Sequence, residues 1–240
     1  MADDLETLAA AQSPTPERPL LGLTVLMVED SRYASEAMRL LCLRSGARIR
    51  RADSLRAAHR HLSVYRPSVV IVDLGLPDGP GTTLIAELAA ATPRVPAILA
   101  ISGDAGGEAA ARAAGADGFL LKPLASLPDF QRAVLAHLPR NIAPKNARPG
   151  AESPVSPDPL ALQEDLAHIS RFIGCGPRRG KDIGYVAQFL SGVARMAADP
   201  ALEAAASRLA ERHRHGLPTS RELAHVAGLV NRRLAAPQTV

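Results

Sequence analysis

Between residues 22 and 138, five short apolar runs alternate with five stretches of helical periodicity, and no other feature of this 240-residue chain limits its folding as strongly. The runs are "LTVLMV" (23–28), "ARIRRA" (47–52), "SVVIVD" (68–73), "PAILAIS" (96–102) and "GFLLK" (118–122). Four of them are almost continuously apolar, as parallel strands covered on both faces must be. The second carries Arg48, Arg50 and Arg51, which suits an exposed edge. The intervening segments, such as "RYASEAMRLLCLRS" and "LPDFQRAVLAHL", place apolar residues at helical spacing. Strict alternation predicts an α/β domain with a doubly wound parallel sheet, right-handed crossovers and helices on both faces. Gly46, Gly115 and Gly118 fall where helices should end and the chain should turn.

The rest of the chain divides around that block. Residues 1–21 contain "SPTPERP" and read as a flexible leader. Residues 139–159 hold six prolines in 21 positions, the composition of a linker. From 160 to 240 helical periodicity returns without a strand signal, giving a smaller all-α domain with helices near 160–173, 182–197, 200–213 and 220–236. Asp158-Pro159 and Asp199-Pro200 have the form of an N-cap followed by a first-turn proline, and Thr219 with Glu222 has capping-box spacing. Composition excludes several functions. Aromatic residues make up 3% of the chain and there is no Trp, which speaks against a base-stacking surface for single-stranded nucleic acid. A net charge of +4 permits an anionic partner without demanding one. Cys42 and Cys175 match no metal spacing and are too few for a disulfide framework, so a reducing cytoplasm is expected. No apolar run approaches the ~18 residues of a membrane span, and the acidic start lacks a signal-peptide layout.

In a doubly wound sheet, ligands bind beyond the carboxyl ends of the strands, where strand order reverses. Reading those ends in turn gives Glu29-Asp30, Asp73, Ser102 and Lys122-Pro123. Three carboxylates, a hydroxyl and an ammonium should therefore meet on one rim. Adjacent carboxylates repel, and a hard divalent cation, Mg²⁺ above all, would relieve them. With the cation in place, one carboxylate could attack a phosphoryl donor while Lys122 and Ser102 contact the transferred oxygens.

Residues 22–138 resemble the receiver domain of two-component response regulators, the CheY-like family. The resemblance rests on "VLMVEDS", "VVIVDLGLPDGPG", "AILAIS" and "GFLLKPL", in this order and at fitting separations. It implies a flavodoxin-like (βα)5 fold and assigns Asp73 as phosphoryl acceptor. It also implies Mg²⁺ ligands from Glu29, Asp30, Asp73 and the backbone carbonyl of Gly75. Ser102 and Lys122 become the hydroxyl and lysine that contact the phosphoryl group, with Ser in place of the commoner Thr, and Phe119 falls at the switch-aromatic position. Gly75 and Asp104 occupy positions that tune acyl-phosphate lifetime in the family. The implied partner is a sensor histidine kinase or a histidine phosphotransfer protein. The implied chemistry is a signalling switch with only self-phosphorylation and dephosphorylation, not an enzyme acting on other substrates.

The helical region carries weaker motifs. "GCGPRRGKD" (174–182) departs from a phosphate-binding loop, with Cys175 where Gly is required and Asp182 where a hydroxyl is required. His168 would suit a phosphotransfer helix, except that Phe172 occupies the position where a small residue is needed. His213 and His215, beside Arg212 and Arg214, make a basic helix end. Within 219–236, Ala224, Gly228 and Leu234 have the spacing of a helix-turn-helix, and Arg221, Arg232 and Arg233 could reach phosphates. A single amphipathic helix accounts for the same letters, and from 160 onward 11 Lys+Arg face 7 Asp+Glu, a small excess for a DNA-binding domain. The expected output is therefore a dimerisation or protein-binding module, with possible homodimers. A DNA-binding transcriptional regulator is the alternative.

Overall fold

The computed structural model describes residues 14–124, 126–139, 157–175 and 180–236. By backbone proximity the chain divides into two compact units, Met1–Asp30 with Ala37–Ser156, and Ser31–Glu36 with Pro157–Val240.

The first unit is built on five parallel strands: β1 (Thr24–Val28), β2 (Arg48–Ala52), β3 (Val69–Asp73), β6 (Ala97–Ser102) and β7 (Gly118–Leu121), in the order β2-β1-β3-β6-β7. Between β3 and β6 lies a small antiparallel hairpin, β4 (Gly75–Leu76) with β5 (Gly79–Pro80). The helices are α1 (Arg32–Arg44), whose residues up to Glu36 are counted in the second unit, α2 (Leu55–Leu62), α3 (Gly81–Ala90), α4 (Glu108–Ala113) and α5 (Leu127–His137). Each expected strand is present within one residue of its expected bounds.

Side chains alternate across the sheet. Val25, Met27, Val69, Ile71 and Leu99 form one core with Met38, Leu41, Phe130 and Val134. Leu26, Val28, Val70, Val72 and Ile98 form the other with Ala57, Ala58, Leu84 and Ile85. At ~1.5–3 kcal/mol for each fully buried aliphatic side chain, β1, β3 and β6 hold the domain together. In β2 only Ala52 is buried, so this strand is the expected exposed edge.

The expected leader is shorter than residues 1–21. Leu20 is fully buried in the first core, and its N–H donates to the Ser45 carbonyl at 2.8 Å. An apolar side chain beside an open core end is better buried than solvated, and this pins the chain ahead of β1. Residues 1–13 lie outside the described residues, as do 140–156 of the expected linker.

Among its described residues the second unit has the helices α6 (Pro159–Gly174), α7 (Gly180–Met196), α8 (Pro200–Arg214) and α9 (Ser220–Ala235). They close on Leu166, Ile169, Val186, Leu190, Leu209 and Val230. Asp158 and Asp199 cap as expected, accepting from the N–H of Leu160 at 2.9 Å and of Leu202 at 3.0 Å. The capping box at Thr219 does not form. Thr219 makes no side-chain cap, and Glu222 instead lies 3.2 Å from the Arg212 guanidinium. A charge partner within reach outcompetes the return bond to the backbone. Residues 220–235 are one continuous helix, so the tight turn that the Ala224, Gly228 and Leu234 spacing allowed is not formed. In the same unit Asp165 of α6 is buried and accepts hydrogen bonds from Ser31 Oγ (2.7 Å) and from the N–H groups of Arg32 (2.8 Å) and Tyr33 (3.1 Å).

Asp199 also pairs with Arg233 of α9, whose Nη2 lies 2.7 Å from its Oδ1. The hydrogen bond from Arg233 holds its carboxyl below the usual 3.8, against the opposing pull of partial burial. A carboxyl depressed by folding stabilises above its unfolded pKa, and that stability is lost as pH falls through the folded value. Asp199→Asn should therefore lower the melting temperature at pH 7. The difference from the parent should shrink below pH 3.8, which thermal melts at a series of pH values will read.

Candidate functional site

The chain runs from β1 to β2 on one side and returns to β3 on the other, so strand order reverses between β1 and β3. At the carboxyl ends of these two strands the sheet leaves a crevice. Glu29 and Asp30 follow β1, Asp73 ends β3, Ser102 ends β6 and Lys122 follows β7. Strand pairing sets their depth: Glu29 N–H donates to Ala52 C=O at 2.8 Å, and Lys122 N–H donates to Ser102 C=O at 2.8 Å.

Oxygens of Glu29, Asp30 and Asp73 lie within 4.8 Å of one another. Among the described residues this is the one group of acids, histidines and cysteines close enough to share a metal ion. His213 and His215 belong to no such group. Lys122 is buried between two of the acids, its Nζ 2.5 Å from Glu29 Oε2 and 2.9 Å from Asp73 Oδ2. Burial and the Asp73 charge push the Glu29 carboxyl well above its ordinary range, Lys122 opposing them. Burial works against the Lys122 ammonium, yet Asp73 and Glu29 outweigh it and hold the lysine above its ordinary value.

Three carboxylates against one ammonium leave a formal −2. Two charges at this separation repel by about 3–4 kcal/mol at an effective dielectric near 20. All the donors are hard oxygens, the set that suits Mg²⁺ rather than a softer metal.

The loop after β3 holds this cluster in shape. Gly75 N–H approaches Asp73 Oδ1 at 3.4 Å, and a Cβ on Gly81 would lie 2.0 Å from the Asp73 carbonyl oxygen. Only glycine lets α3 begin so close to the strand end. Asp78 does more than the turn chemistry its "LPDG" context suggests. Its two carboxylate oxygens accept from the N–H groups of Leu55 (2.8 Å) and Arg56 (3.0 Å), tying the β4–β5 hairpin to the first turn of α2. Asp78→Ala should cost about 0.5–2 kcal/mol, the value of a helix cap, in urea unfolding. It should also loosen the Gly75 segment, read as a wider Asp73 environment by NMR. Asp78→Asn, which keeps one acceptor oxygen, should lose less.

Ser102 is buried, and its Oγ accepts from the Asp104 N–H at 3.1 Å. Phe119 is half-buried on β7 beside Ala100 and packs against the core that α2 and α3 cover. A Cβ on Gly107 would sit 3.9 Å from both Phe119 Cε2 and Ser102 Oγ, and 2.6 Å from Leu74. Gly107 thus leaves room for the end of the Leu74 side chain, with Ser102 and Phe119 flanking it at ordinary contact distance, and nothing in the sequence marked it. The structure brings Glu29, Asp30, Asp73, Gly75, Ser102 and Lys122 to one rim, and Phe119 and Ser102 both flank Gly107.

Of the weaker motifs, residues 176–179 of "GCGPRRGKD" lie outside the described residues. His168 is exposed on α6, its ring 6.2 Å from that of Phe189, and Phe172 fills its position against Tyr185 at 5.5 Å. Among the described residues no helix is long and apolar enough to cross a membrane.

A family model for the response regulator receiver domain matches residues 25–134. The KDP operon transcriptional regulatory protein KdpE of Escherichia coli K12 is 30% identical over 144 residues, covering 59% of this chain and 58% of that protein. The virulence transcriptional regulatory protein PhoP of Salmonella typhimurium is 30% identical over 103 residues, 42% of this chain and 46% of that protein. The chain thus spans about half the length of the curated relatives it matches. Among solved structures, a response regulator receiver domain (CheY-like) from Methylobacillus flagellatus is 29% identical, covers 42% of this chain and 87% of that one, and gives a TM-score of 0.38.

Proposed function

Because residues 25–134 are a response regulator receiver domain, we propose that this chain is the phosphorylated switch of a two-component system, with Asp73 as the phosphoryl acceptor. The observation that supports this most is the buried Lys122 bridging Asp73 and Glu29 beside a third carboxylate. Carboxylates of Glu29, Asp30 and Asp73 with the Gly75 carbonyl would hold Mg²⁺, which when bound supplies charge neutralisation at the phosphoryl oxygens. Asp73 attacks phosphorus through a carboxylate oxygen, the bond from phosphorus to the donor breaks, and its electron pair leaves with the donor. Lys122 exchanges part of its contact with Asp73 for the new phosphoryl oxygens, and the Ser102 hydroxyl turns to donate to one of them. The donor is a sensor histidine kinase or histidine phosphotransfer protein, and the switch works in the cytoplasm. Its own chemistry is limited to self-phosphorylation from the donor and dephosphorylation.

For output, we favour the four C-terminal helices as a dimerisation or protein-binding module, because α9 is a single helix with no turn to present a recognition helix. The names of KdpE and PhoP as transcriptional regulators favour a second reading, DNA binding. Treating the full chain with acetyl phosphate and Mg²⁺ separates the two. Self-association should appear as a rise in mass by light scattering, with no gain in affinity for labelled duplex DNA. Unchanged mass with duplex binding that rises on phosphorylation and falls steeply with salt would establish the DNA reading instead.

A further inference from the structure

Residues 44–66 hold seven arginines and one aspartate, a net +6 inside a chain whose total is +4. Five of the seven, Arg48, Arg50, Arg56, Arg60 and Arg66, are exposed, and their guanidinium groups make no hydrogen bond or ion pair among the described residues. This is unusual company for one stretch, since most other arginines of the first unit have carboxylate or carbonyl partners, as Arg94 does with Asp117 at 2.8 Å.

The arginines on β2 and α2 are placed by the fold. Ile49 packs on the α1–α5 core and Ala52 lies in the opposite one, so Arg48 and Arg50 share the Ala52 face, the side on which α2 lies. Arg50 is near enough to Tyr65 to act on its hydroxyl electrostatically. On α2, Ala57 and Ala58 face the sheet and His59 turns to α3, meeting Glu87 at 2.6 Å. Successive helical residues are about 100° apart. Arg60 therefore occupies the opposite flank, towards the β2 edge.

That edge is open. Arg48 N–H and Ala52 C=O bond to the β1 side, at 2.9 Å to Leu23 and 2.8 Å to Glu29. In a parallel pair the N–H and C=O of one residue point the same way and those of the next point opposite. Ile49 and Arg51 consequently turn two donors and two acceptors outward. Arginines on an edge strand also guard against aggregation, and that role needs no partner. Guarding does not account for the unpaired Arg56 and Arg60 carried by α2.

We infer that the β2 edge is a docking surface for an extended acidic segment of a partner protein, one whose carboxylates alternate with apolar residues. Such a segment adds a strand to β2 through Ile49 and Arg51. Its carboxylates fall on the face of Arg48 and Arg50, where directly opposed side chains are about 4.5–5.5 Å apart. Its apolar residues fall on the face of half-buried Ile49. Arg56 and Arg60 supply a surrounding positive field that speeds encounter. This surface is separate from the acidic rim and stands whether or not Asp73 is phosphorylated.

The test is fluorescence anisotropy on the full chain with a labelled peptide of four Glu-Val repeats. Four comparison ligands are a block peptide of the same composition, two forms of the repeat peptide N-methylated at alternate residues in one or the other register, and a 20-base-pair duplex. The repeat peptide should bind at least tenfold more tightly than the block peptide. One N-methylated register should lose binding and the other keep it, because only one set of amides faces β2. Arg48→Glu with Arg50→Glu should weaken the repeat peptide at least tenfold, with circular dichroism confirming the fold. Arg48→Gln serves if the double variant does not fold. Equal binding of block and repeat peptides, indifference to both methylations, or tighter duplex binding that depends on the same arginines would each overturn the inference.

Discussion

Asp73→Asn is expected to take up no phosphoryl group from acetyl phosphate in the presence of Mg²⁺, where the parent chain takes up one base-labile group. The reasoning is chemical before it is structural. An amide oxygen carries too little charge to displace a leaving group from phosphorus, so the step loses its nucleophile and not merely a contact. The fold should survive the change. Asp73 is buried, but its amide can still accept from Lys122, and replacing one of three crowded carboxylates relieves repulsion at the rim. Loss of labelling with an unchanged or raised melting temperature is therefore the joint outcome to look for by intact mass spectrometry and calorimetry. Asp30→Asn gives the useful contrast: it removes a Mg²⁺ donor and leaves the nucleophile, so labelling should slow and demand more Mg²⁺, yet still reach completion. Full labelling of Asp73→Asn would remove Asp73 from its proposed role, since another acid would then be the acceptor.

How much of this was legible beforehand follows from the range of the interactions involved. The five strands could be read because a strand covered on both faces must be apolar along its whole length, and the edge strand because it need not be. The carboxyl-end residues could be read because the doubly wound topology gathers those ends whatever the loops do. Features built by loops reaching across the fold were hidden. Asp78 reads as a turn residue, and its capping of α2 depends on partners 22 and 23 residues earlier in the chain. Asp165 reads as any helical acid, yet its hydroxyl partner Ser31 is 134 positions away. Leu20 lost its signal among the prolines around it. The Thr219 box failed for a related reason: local spacing states what can form, and Arg212 offered Glu222 a stronger partner from another helix. Gly81 is required by the Asp73 backbone that approaches it, which no local pattern records.

Lys122→Met should produce the largest loss of stability in the first unit, about 3–5 kcal/mol when measured in the presence of a chelator. Methionine nearly matches the lysine in length, so packing changes little and the effect is electrostatic. Without the ammonium, Glu29 and Asp73 are left buried at 2.5 and 2.9 Å from where the charge had been. Glu29 can escape by taking a proton, and it is the group already pushed up by burial and by Asp73. Removing Lys122, which opposes that push, moves it further in the same direction. A carboxyl whose folded value exceeds its unfolded value binds more protons when folded, so stability falls as pH rises. Relative to the parent, the variant should thus lose stability progressively above pH 4.5, the ordinary value for a glutamate, until the folded value is passed. Mg²⁺ should restore more stability to the variant than to the parent. The cluster then carries a formal −3 rather than −2, affinity rises with that charge, and ligand stabilisation grows as RT ln(1 + [L]/Kd). Urea titrations across pH, with and without Mg²⁺, read all three effects. A variant that matches the parent in chelator, shows no added pH dependence and gains nothing extra from Mg²⁺ would mean that Lys122 does not neutralise these carboxylates, and the electrostatic account of the rim would have to be abandoned.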